Sequence, residues 1–105
     1  MQTLTYRFPA TASHGTATHV GVVASGDLEV LFDAPGDDPE VSGVAHVRVR
    51  TSVDGFDTVW QETLARFFEH TPLAGTWELN DFGATPAVVT LRLRQTAEAA
   101  TEVTP

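Results

Sequence analysis

Ser25 stands in a small polar break, Ala24-Ser25-Gly26-Asp27, between two aliphatic runs, Val20–Val23 and Leu28–Phe32. Gly accepts the positive φ of a tight turn, and Ser and Asp bond their own backbone there. If both flanks are strands, they form a hairpin with Ser25 at or beside its tip. A hydroxyl so placed is exposed and unhindered, which suits covalent attachment of a group. Plain turn chemistry would account for the same residues. The remaining serines are weaker candidates: Ser52 in Thr51-Ser52-Val53-Asp54-Gly55 is the rival site, and Ser13 and Ser42 have no motif around them.

Other chemistry finds less support. A hydrolase would pair Ser25 with a histidine, His14 or His19, and with Asp27 as orienter. No nucleophile elbow surrounds Ser25, and a short chain has little room for an enclosed active site. His14, His19, His46 and His70 share no ligand-like spacing and there is no Cys, so no metal site is expected. Arg48/Arg50 and Arg92/Arg94 could meet across neighbouring strands and hold a phosphate, or form a solvated face with Glu and Asp. The Asp81-Phe82-Gly83 triplet matches a kinase motif without any of its companion elements.

The elements that must position these residues belong to one domain, since the chain has 105 residues and 42% apolar content. Its net charge is −8, and all six basic residues are Arg. Such a surface argues against nucleic acid and anionic membranes as partners. The N-terminus lacks a signal-peptide pattern and no apolar run approaches the ~20 residues of a membrane span, so a cytoplasmic protein is expected.

Leu4, Tyr6 and Phe8 alternate with Thr3, Thr5 and Arg7, the pattern of a half-buried strand ending at Pro9. Leu28, Val30 and Phe32 share one face of a further strand, and Val47 and Val49 share one face of another within residues 43–53. Residues 33–40 form an acidic loop with two prolines. A helix over about 55–70 follows, capped by Asp54 or Asp57, with Phe56, Val59, Trp60, Leu64, Phe67 and Phe68 as its apolar stripe. Trp77-Glu78-Leu79 is a short strand, and the alternation over residues 87–94 predicts another, with Val89, Leu91 and Leu93 facing in. Residues 96–105 read as a mobile tail after a domain of residues 1–95. The expected class is α+β: a mainly antiparallel sheet with one amphipathic helix on one face.

Three blocks in order carry a family likeness: Ser25-Gly26-Asp27-Leu28-Glu29-Val30-Leu31; Thr51-Ser52-Val53-Asp54-Gly55 with Trp60-Gln61; and Asp81-Phe82-Gly83-Ala84-Thr85-Pro86 leading into Val88-Val89 and Leu91-Arg92-Leu93. Over about residues 2–95 the chain resembles the acyl carrier (delta) subunits of biotin-independent malonate decarboxylase. Ala24 departs from the Gly common there, and Asp54 from the usual Asn.

The resemblance implies a non-catalytic carrier. A serine matching Ser25 would bear a phosphodiester-linked 2'-(5''-phosphoribosyl)-3'-dephospho-CoA, whose thiol takes acetyl and malonyl as thioesters. Gly26 and Asp27 would support the turn, and Arg92 and Arg94 are candidate contacts for phosphate or a partner. The implied partners are the transferase and decarboxylase subunits and a prosthetic-group transferase. The alternatives are a citrate lyase-type acyl carrier and a β-rich interaction module needing no modification.

Overall fold

The computed structural model describes residues 2–13 and 15–102. Five strands and two helices follow in chain order: β1 (Gln2–Pro9), β2 (Thr18–Val20), β3 (Leu28–Asp33), β4 (Val44–Thr51), α1 (Asp57–His70), β5 (Gly75–Asp81) and α2 (Pro86–Ala100). The strands form one sheet in the order β1-β4-β5-β3-β2. β4 and β5 are parallel and joined by α1, while the other three pairings are antiparallel. The expected α+β class holds, with a second helix added.

Period-two alternation decides which face is buried. Val47 lies beside Trp77, Val49 beside Leu79, and Leu79 beside Val30 on the next strand. All five are buried in the layer between the sheet and the helices. Trp77 is its centre. Its ring meets those of Phe32 at 4.7 Å, Phe68 at 5.2 Å and Phe67 at 5.9 Å, and its indole N–H donates to the Leu73 carbonyl at 3.1 Å. The opposite face of the sheet is polar, with Arg48 paired to Glu78, and Glu29 held by His19 and Asn80.

α1 buries Trp60, Leu64, Phe67 and Phe68 as its spacing demands. Phe56 and Val59 remain 49% and 41% exposed, so the stripe is narrower than expected at its start. The position before the first helical residue is Phe56, with no side-chain cap; Asp57 lies in the first turn, where its charge suits the helix dipole.

The expected strand over residues 87–94 is a helix. Thr85 accepts a hydrogen bond from the Val88 N–H at 3.3 Å and Pro86 opens α2. A capping Thr followed by Pro is a helix start, and it overrides the β-branched alternation. Val89, Leu93, Thr96, Ala97 and Ala100 are buried, a helical spacing, whereas Leu91 is exposed. The expected tail from residue 96 is therefore mostly structured. Thr16 donates to the Ala100 carbonyl through its N–H at 2.9 Å and its hydroxyl at 3.1 Å, fastening the end of α2 to the loop before β2. The last part of that tail, residues 103–105, lies outside the described residues.

Candidate functional site: a braced serine turn

β2 and β3 pair as expected of a hairpin, but the strand stops at Val20 rather than Val23. Gly21 ends it. Its φ is +85°, and a Cβ there would lie 2.1 Å from the Leu28 carbonyl oxygen, which no other residue could accept. Val22 and Val23 consequently sit in the loop with 59% and 64% of their surface exposed. Ser25 follows at a true turn: the Asp27 N–H donates to the Ala24 carbonyl at 3.0 Å, and Gly26 has φ +80°. A positive φ at the third residue is the mark of a type II turn, and Ser25 occupies the corner position before it. Its side chain is exposed.

This turn is tied down on two sides. The Gly26 N–H donates to the Phe82 carbonyl at 2.7 Å, and the Phe82 N–H donates to the Asp27 carbonyl at 3.0 Å. The Arg92 guanidinium, from α2, donates to both carboxylate oxygens of Asp27 at 2.9 and 3.2 Å, and the Leu28 N–H adds a third bond at 2.8 Å. Both side chains of this pair are mostly buried, unlike the open Arg7–Glu40 contact. A planar two-bond pair fixes orientation as well as distance. Arg92 thus braces the turn.

A buried carboxylate locks the neighbouring loops. Asp81, 5% exposed, accepts from the Thr51 hydroxyl at 2.8 Å and from the Ala84 N–H at 2.9 Å. The Thr51 hydroxyl in turn accepts from the Val53 N–H at 3.1 Å. Residues 24–27, 52–54 and 82–85 therefore gather at one end of the sheet, outside the carboxyl ends of the parallel strands β4 and β5. That is where open sheets containing parallel strands commonly bind ligands. The rival, Ser52, is exposed at this same end, while Ser13 and Ser42 lie toward the other.

The residues of the hydrolase alternative are engaged elsewhere. His19 pairs with Glu29 on the polar face of the sheet, and Asp27 pairs with Arg92; His14 lies outside the described residues. Among the described residues no three His, Cys, Asp or Glu side chains gather as a metal site, and no helix is long and apolar enough to cross a membrane. The two arginine pairs do not meet: Arg48 and Arg50 lie on β4, on the sheet face away from the helices, and Arg92 and Arg94 lie on α2. Sequence reasoning had no signal for Asp81 as a buried lock. Arg92, a candidate contact for phosphate or a partner, pairs here with Asp27.

The Arg92 guanidinium, then the Leu28 N–H, hold the Asp27 carboxyl below the usual carboxylate range. A depressed pKa means that this bracing is complete above the unfolded value of ~3.9 and is lost as pH falls through the folded value. The ¹³C titration of the Asp27 carboxyl should show a midpoint below ~3.9, moving up in Arg92→Ala. A wild-type midpoint at or above the ordinary value would mean that the ion pair does not form in solution.

Fold and site together define a small helix-on-sheet domain that displays a serine on a rigid turn. A particular family has this form. The model of the malonate decarboxylase delta subunit family matches residues 15–100, and the chain belongs to that family. The malonate decarboxylase acyl carrier protein of Pseudomonas fluorescens (strain SBW25) is 45% identical over 96 residues, covering 90% of this chain and 92% of the relative. That of Pseudomonas aeruginosa (strain UCBPP-PA14) is 45% identical over 101 residues, covering 95% and 97%. A chain in the crystal structure of a Pseudomonas malonate decarboxylase hetero-tetramer in complex with malonate superposes with a TM-score of 0.82 at 43% identity, covering 93% of this chain and 97% of that one.

Proposed function

We propose that this protein is the acyl carrier subunit of a cytoplasmic malonate decarboxylase, itself without catalytic residues, and that Ser25 carries its prosthetic group. The observation behind this reading is the exposed Ser25 hydroxyl at the corner of a turn braced from α2 and from the loop after β5. The group is 2'-(5''-phosphoribosyl)-3'-dephospho-CoA. The space around the turn fits a bulky phosphodiester: a Cβ added to the adjoining Gly26 would meet nothing within 4 Å. When bound, the group supplies the thiol that the Cys-free chain lacks, and holds acetyl or malonyl as a thioester.

The chain's own residues then do three things. Ser25 Oγ gives up its proton and attacks the phosphorus of an activated polyphosphate form of the group supplied by the transferase, and the P–O bond to the departing polyphosphate breaks as the phosphodiester forms. Asp27, Arg92 and the Phe82 backbone hold the turn still, so that a prosthetic-group transferase meets a fixed hydroxyl. The folded domain keeps the tethered thioester near the transferase and decarboxylase subunits, which turns each encounter into an intramolecular event at high effective concentration.

The test is the intact mass of the full chain, expressed with and without its prosthetic-group transferase. An increase equal to one phosphoribosyl-dephospho-CoA group supports the carrier role. No increase beside a transferase that modifies a related carrier would favour the interaction-module reading.

A further inference from the structure

Among the described residues, four of the seven exposed large apolar side chains, Val53, Phe56, Val59 and Leu91, line one groove between α1 and α2. Val22 and Val23 lie in the loop just before Ser25. The groove has two parts. The first is an apolar cleft of about 360 Å³ at the N-terminal ends of the two helices, floored by Trp60 and Val89 and rimmed by Gly83 and Thr85. The second is a wider trough of about 920 Å³ along the helices, bordered by Arg66, Arg94 and His70, with the carboxylate of Glu62 also on its lining. Both are lined by Val59, Thr63 and Pro86, so one opens into the other.

The groove begins beside the serine turn. Gly83, on the rim of the cleft, would with a Cβ approach the Gly26 nitrogen to 4.0 Å. Its charge is also unusual for this acidic chain. Arg7, Arg48 and Arg92 are paired with carboxylates, whereas Arg50, Arg66 and Arg94 make no ion pair among the described residues. Two of those three border the trough.

Resting on the carrier reading, we infer that this groove is a binding site for the group attached to Ser25, with adenine in the cleft and the diphosphate between Arg66 and Arg94. The two parts of the groove match two branches of the group. The linking phosphate and its ribose lead to a second ribose, which bears adenine on one side, a flat aromatic ring suited to a cleft walled by Phe56, Trp60 and Val89. On its 5' oxygen the same ribose bears the diphosphate, which wants guanidinium donors such as those bordering the adjoining trough. Arg94 lies eight residues along α2 from Pro86, a helix rise of about 12 Å. The cleft also falls within the range usual for small-molecule sites, ~300–1,000 Å³. The groove thereby holds the nucleotide end of the group against the carrier and leaves the arm that bears the thiol free to extend.

The test compares ¹⁵N-labelled full chain in its unmodified form and in the form whose added mass confirms modification. Modification should shift the amides of residues 53–66 and 83–94 and slow their hydrogen exchange at least several-fold. Both changes should be lost in the modified Arg66→Glu/Arg94→Glu variant, whose two substitutions lie on exposed helix surface. A chain modified by mass, with no change in the groove, would overturn this inference and leave the carrier reading intact. Changes that persist undiminished in the double variant would overturn the assignment of the diphosphate. A groove protected only on adding partner subunits, and equally so in the unmodified chain, would make it a protein interface instead. Absence of any mass increase, with active transferase, would overturn both readings.

Discussion

Ser25→Ala is expected to fold normally and to show no mass increase under conditions that fully modify the wild type. The loss is all-or-none because an alanine methyl has no oxygen with which to form the phosphodiester. The fold should be indifferent, since the Ser25 side chain is exposed and the turn is held by its neighbours: the Gly26 N–H to Phe82, the Asp27 N–H to Ala24, and the Asp27 carboxylate to Arg92. An exposed substitution of this kind usually changes stability by no more than ~0.5 kcal/mol. Ser52→Ala is the control, because Ser52 is also exposed at that end of the sheet. It should be modified like the wild type. If Ser52→Ala blocked modification and Ser25→Ala did not, the attachment site would be Ser52. If Ser25→Ala failed to fold, Ser25 would be a structural residue.

The second large effect is on stability. Trp77→Ala should cost ~3–5 kcal/mol, the range for removing a buried aromatic ring. Trp77 is fully buried on the central strand, packs on three Phe rings, and leaves the Leu73 carbonyl without its donor when removed. Against a total of ~5–15 kcal/mol for an ordinary domain, this is at least about a fifth of the whole. Urea unfolding followed by circular dichroism would measure it. Trp60→Ala should cost less, because Trp60 borders the open cleft between the helices and keeps 6% exposure. Equal stabilities for Trp77→Ala and wild type would remove Trp77 from the centre of the core.

Much of this core was legible from alternation. Leu28, Val30 and Phe32, and Val47 and Val49, occupy the buried face assigned to them by their period of two. α1 was legible from its aromatic spacing, within two residues at its start. α2 was not, because Val88-Val89-Thr90-Leu91 imitates a strand; the better signal was Thr85-Pro86, a cap followed by a residue suited only to a helix's first turn. Ser25, Gly26 and Asp27 were marked correctly as a turn. What holds the turn could not be read, because Phe82 and Arg92 lie more than fifty residues along the chain, and only the register of β3 on β5 brings them near. The pairing of Arg92 with Asp27 also explains why Arg94, two positions on, is left over for the groove.

The sheet order carries a consequence for how the chain must be made. β5 is inserted between β4 and β3, yet it is the last strand in sequence. A nascent chain emerging N-terminus first can pair β1 with β4 and β2 with β3, but these two halves have no edge in common until residue 81 has been released. Closing such distant pairings is slow relative to local helix formation. The hydrogen bonds that steady the Ser25 turn come from Phe82 and Arg92, later still. The serine is thus translated in the first quarter of the chain but acquires its final shape almost last, so a truncated copy offers it only in a loose loop.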